Sequence, residues 1–83
     1  MDLKAQIRIT SKFTGKSTFE FWKDLQTGDL ITLKTPFEWP EGNRGHTYAQ
    51  RVTLYNLRNG LSFRDSLRGI VNRLDKTTWE EVE

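Results

Sequence analysis

Tyr48-Ala-Gln-Arg-Val-Thr-Leu-Tyr-Asn-Leu-Arg-Asn-Gly-Leu-Ser-Phe-Arg-Asp-Ser-Leu-Arg-Gly-Ile-Val-Asn-Arg-Leu74 changes its hydrophobic period partway along, and the fold class follows from that change. Its first part is rich in β-branched and aromatic residues and reads as a strand ending at Arg58. Asn59-Gly60 supplies two residues that tolerate positive φ, which predicts a two-residue hairpin into a short strand, Leu61 to Phe63. Leu67, Ile70, Val71 and Leu74 then recur at i, i+3, i+4 and i+7, predicting a helix over about residues 64–75. Ser62 or Asp65 is its expected cap, with Ser62-x-x-Asp65 as a capping box. A strand, turn, strand and helix in this order need a sheet to pack on. The same stretch carries Arg51, Arg58, Arg64, Arg68 and Arg73, with Asp65 the only acid before Asp75.

Upstream, Ala5, Ile7, Ile9 and Phe13 alternate with polar residues, as in a strand with one face in a core. Its outward side carries Lys4, Arg8 and Lys12. Gly15 marks a turn, and residues 17–23 read as the returning strand, placing Trp22 on the wet side unless another element covers it. Leu25-x-x-Gly28-Asp29 is a corner similar to those of SH3-like and OB-like barrels: Leu25 plugs the end and Gly28 takes the turn conformation. Asp29 to Thr35 is a third strand and Thr47 to Arg58 a fourth. Between them lies a long loop, residues 36–46, with both prolines, Phe37 and Trp39. Thr77 or Thr78, with Glu80 or Glu81 three residues on, predicts one last helical turn packed down by Trp79, and the acidic end reads as solvated. The expected fold is α+β: a small bent antiparallel sheet of four or five strands, or a partly open SH3-like or OB-like barrel, with one C-terminal helix. Short turns predict meander connections. An OB barrel places its helix between strands three and four, where this chain has a loop, so the SH3-like reading ranks first.

Residues 1–83 are expected to form a single domain. A chain of this length buries roughly 60–65% of its unfolded surface, so the core is thin. There is no cysteine, so five Phe, three Trp and two Tyr must supply much of the buried area. The first residues lack the apolar core of a signal peptide, and no apolar run exceeds two residues. A soluble cytoplasmic protein without membrane contact is the expectation. The net charge of +2 is unevenly spread: residues 1–16 carry +3, residues 17–41 carry −3, residues 42–74 carry +5 and the last nine −3.

Gly15-Lys16-Ser17 resembles the end of a phosphate-binding loop, but the position five before Gly15 is Thr10 rather than glycine. The lone His46 has no cysteine or evident carboxylate partner, and no Asp/Glu cluster has ligand spacing. No enzyme activity, metal or cofactor is therefore expected. Asp24 and Asp29 read as turn caps at the corner. What remains is a basic and aromatic set. If Val52 and Leu54 point inward, Arg51 and Tyr55 join Arg8 and Lys12 on one sheet face. Cations track phosphates and aromatic faces stack on bases, so this set predicts a nucleic-acid-binding accessory module. The candidate residues are Arg8, Lys12, Trp39, Arg44, Arg51, Tyr55, Arg58, Arg64 and Arg68. The alternatives are a protein-binding regulator or inhibitor using the 36–46 loop or a sheet edge, and an assembly subunit with exposed aromatics. Partner identity and oligomeric state are left open.

Overall fold

A computed structural model describes residues 6–35 and 50–82. The 36–46 loop, with Trp39 and Arg44, lies outside them. The described chain runs β1 (Gln6–Ser11), α1 (Glu20–Lys23), β2 (Leu30–Leu33), β3 (Arg51–Asn56), β4 (Ser62–Ser66), α2 (Leu67–Leu74) and β5 (Thr78–Val82). The five strands form one antiparallel sheet in the order β4-β3-β2-β1-β5, which is not closed. The fold is α+β. β1 to β4 follow one another as a meander, and α2 carries the chain from the β4 edge to β5 at the opposite edge. A strand thus follows the helix.

Alternation decides the faces. Ile7 and Ile9, Ile31 and Leu33, Val52 and Leu54, and Phe63 are all buried and share one face. The helical residues Leu67, Ile70, Val71 and Leu74 close over it, as their spacing predicts. Both helices therefore lie on the core face, and no described element covers the other.

Several local expectations change. Residues 20–23 form a helical turn where a returning strand was expected, and irregular chain precedes it. Phe21 and Trp22 explain this: both are buried, which adjacent residues of a strand with one wet face do not achieve. Trp22 is core, against Phe13, Phe21 and Phe63. The β3–β4 loop spans four residues, 57–60, closed by the Gly60 amide donating to the Asn56 carbonyl at 2.9 Å. Only Gly60 has positive φ (74°); Asn59 instead accepts from the Leu61 amide through Oδ1. β4 is longer than expected, so α2 starts later and its cap is Ser66, whose Oγ accepts from the Gly69 amide. Ser62 and Arg64 lie within the strand. Asp65 ends up bonded to Arg73. The last helical turn is instead strand β5, because pairing with β1 satisfies its backbone and Ile9 faces Trp79, which packs on the core. Glu81, read as part of a solvated tail, is half-buried opposite Ile7.

The Leu25–Asp29 corner forms as expected: Leu25 is buried and Gly28 sits at φ 96°. No described helix is long and apolar enough to cross a membrane.

Candidate nucleic-acid interface

Because Val52 and Leu54 point inward, Arg51, Thr53 and Tyr55 point outward, onto the uncovered face. Register supplies their neighbours. Thr53 is paired with Arg64 on β4, and on its other side the Lys34 amide donates to the Thr53 carbonyl at 2.9 Å. Lys34, Thr53 and Arg64 thus form one row, its ends about 10 Å apart at strand spacing. Arg51 and Tyr55 flank Thr53 along β3, each about 7 Å away. Lys34 stands over the Tyr55 ring, 5.0 Å from its centroid, a cation–π contact that holds both side chains on the face. Lys34 and Arg64 are exposed and make no ion pair among the described residues. Arg51, with a side chain 63% exposed, has one loose partner among the described residues, Asp65 at 3.7 Å. An exposed pair at that distance contributes little and leaves the cation open to other anions.

The other candidates separate. Arg8 lies on the same face but one end away, beside Leu30 and opposite Glu80 on β5. Lys12 is exposed beyond the end of β1. Arg68 is exposed on α2, which packs on the core side of the sheet.

Arg58 is committed elsewhere. Its Nε donates to Asp29 Oδ1 at 2.6 Å, and its Nη2 donates to the carboxylates of Asp24 and Asp29 and to the Asp24 carbonyl. Asp29, only 3% exposed, also accepts from Asn56 Nδ2 and the Gln26 amide. Asn59 Nδ2 adds a bond to Asp24 at 2.7 Å. These contacts clasp the β3–β4 hairpin to the corner before β2. Burial pushes the Asp29 carboxyl up, but the bonds from Arg58, Asn56 and Gln26 outweigh it and hold it below the usual carboxylate range. Asp24 is lowered too, by the bonds from Asn59 and then Arg58. Asp24 and Asp29 are more than turn caps: they neutralise a cation.

Sequence reasoning passed over Lys34, which sits in the acidic 17–41 block. Its signal was alternation, since the residue after the inward Leu33 must face outward. Among the described residues no group of three His, Cys, Asp or Glu is placed to hold a metal ion. No family model, curated protein or solved structure matches this chain. Its function has to be read from its own residues.

Proposed function

We propose that the uncovered sheet face binds nucleic acid, as a small accessory module that works by binding alone. The observation that supports this is the convergence of Lys34, Arg51 and Arg64 around Thr53, beside Tyr55, on a face no described element covers. Three cations whose strand positions lie within about 10 Å suit neighbouring phosphates of one strand. Tyr55 adds one ring for a base to stack on when Lys34 swings from it to a phosphate, which favours a single strand. The affinity is modest, because only three charges are engaged. For a single strand, three displaced counterions give a slope of log K against log salt of about −2.

The test is a titration of a labelled single-stranded oligonucleotide at two salt concentrations, with wild type and the double variant Lys34→Glu/Arg64→Glu. Saturable, salt-sensitive binding that the double variant loses supports the interface. Binding that the double variant retains, or no saturable signal at low salt, overturns it.

A second reading, a protein-binding regulator or an assembly subunit, draws on the open sheet. β4 and β5 each have one side unpaired among the described residues, and such edges accept an added strand. A partner that survives nuclease treatment in a pulldown favours that reading over the first.

A further inference from the structure

The loop between β1 and α1 builds a second concavity, on the helix side of the sheet. Lys16, Ser17, Thr18 and Phe19 line a cavity of about 390 Å³ together with Arg73 of α2. An adjoining cavity of about 380 Å³ shares Lys16 and Ser17 and runs past Trp22 to Lys23. Each has the volume of a small-molecule site, and both are broadly open to solvent, so a ligand would be held on one side only.

Hydrogen bonds tie the loop down at two points. The Thr14 amide and hydroxyl both donate to the Lys76 carbonyl, at 2.9 and 3.1 Å, tying the loop to the end of α2. Ser17 Oγ accepts from the Phe19 amide at 3.0 Å. Gly15 allows the close approach, since a Cβ there would run into the Phe13 ring and Lys76.

Arg73 is the central group. One nitrogen, Nη1, donates to Asp65 Oδ2 at 3.0 Å and to the Gly69 carbonyl at 3.1 Å. Its guanidinium also lies against Phe63 and Phe19, 4.8 and 5.7 Å from the ring centroids. The group is therefore held in one orientation, while Nε and Nη2 make no hydrogen bond among the described residues. Lys16 is exposed and makes no ion pair among them. Phe19 leaves half its surface, 50%, exposed at the rim. In the adjoining cavity, Trp22 is 2% exposed and its Nε1 is buried with no acceptor among the described residues.

We propose that this cleft binds a phosphomonoester bearing a planar ring, of the size of a nucleoside monophosphate. Its phosphoryl oxygens accept from the unused side of the Arg73 fork and from Lys16, with Ser17 and Thr18 within the same wall, and its ring lies on Phe19. A phosphomonoester carries about −1.5 to −2 charges at neutral pH and three strong acceptor oxygens. That suits a site whose two cations are offset, among the described residues, by one bonded carboxylate, Asp65, which Arg51 also shares. The source of the ligand is a free nucleotide or the phosphorylated end of a strand, which share this chemistry.

The experiment is a titration of isotope-labelled protein followed by amide chemical shifts, with adenosine monophosphate, adenosine and inorganic phosphate as probes. A short oligonucleotide is added with and without a 5′-phosphate. Adenosine monophosphate is expected to give saturable shifts at residues 16–19 and at Arg73, with adenosine and inorganic phosphate each binding at least about tenfold more weakly. Lys16→Glu, an exposed position, weakens the nucleotide by about tenfold or more. Phe19→Leu weakens it by about threefold while leaving inorganic phosphate unchanged. A 5′-phosphorylated oligonucleotide that shifts residues 16–19, where its unphosphorylated counterpart does not, names strand ends as a source; shifts from the mononucleotide alone name the free nucleotide. Lys34→Glu/Arg64→Glu leaves mononucleotide binding intact, so this site and the open sheet face stand or fall separately. No saturable shift at residues 16–19 with any probe, shifts confined to the surroundings of Thr53, or unchanged affinity in Lys16→Glu overturns the proposal.

Discussion

Arg58 and Arg64 come from the same basic stretch, and the fold gives them opposite fates. Arg58 sits on the β3–β4 hairpin and spends its guanidinium on Asp24 and the buried Asp29. Arg64 stands on β4 with its charge open to solvent, in a row with Thr53 and Lys34. A count of positive charges along the chain treats the two alike. What separates them is whether a carboxylate from a distant corner arrives beside them, and for Arg58 the partners lie 29 and 34 residues away. A basic block therefore becomes a basic surface only where the topology brings no acid to it.

Removing Arg58 breaks or sharpens this contrast. Arg58→Ala strands the Asp29 carboxylate without its main partner and should lower stability, by less than for a fully enclosed pair because Arg58 is open on one side. A lower urea midpoint would show it, with oligonucleotide affinity of the folded fraction unchanged. A midpoint equal to wild type would mean the clasp is incidental. The pH dependence follows with a definite sign. The Asp24 and Asp29 carboxyls are depressed in the folded state, so the unfolded chain binds more protons in acid. Their contribution is fully present above the unfolded value of about 4 and is lost as pH falls through the folded values. Denaturation midpoints measured below about pH 4 should fall steeply in wild type and less steeply in Arg58→Ala.

Gly69→Ala tests the third arginine fate, that of Arg73. Alanine is favoured over glycine in a helix by about 1 kcal/mol, so propensity alone says the variant is stabilised. A Cβ at Gly69, however, would run into the Asp65 carboxylate, itself held by Arg73 and the Ser66 amide. The expected net effect is a loss of about 1 kcal/mol, read in thermal unfolding. A gain would show that Asp65 moves aside at no cost. The smallest effect on stability is expected at the open face. Lys34→Ala should change stability by less than about 0.5 kcal/mol while reducing the salt slope of oligonucleotide binding by about 0.7. A large loss of stability there would mean that Lys34 supports the fold through Tyr55.

Strands were legible wherever one face is dry and the other wet. Ile7/Ile9 and Val52/Leu54 showed that alternation, and Leu67, Ile70, Val71 and Leu74 showed the helix by the same physics at another period. Residues 20–23 and 78–82 misled for a shared reason. Phe21-Trp22 and Trp79-Glu80-Glu81 are too short to display a period, so their state depends on what they pack or pair with. Helix onset was misplaced because Ser62, Asp65 and Ser66 are all competent caps, and β4 pairs with β3 through all three, so that only the last of them, Ser66, is left at the helix start. At the candidate site, Arg51 and Tyr55 followed from alternation as soon as Val52 was placed inward. The neutralisation of Arg58 did not.

The amino-acid order by itself determined the periods: which stretches are amphipathic, where Gly28 and Gly60 permit a turn, and which residues of each strand share a side. Those are local properties, set by backbone geometry and the side chains within a few residues. Tertiary structure alone decided the strand order, the burial of Trp22, and which cations stay uncompensated. Each of these depends on contacts between residues far apart in the chain, and charge is cancelled by whatever lies nearby in space.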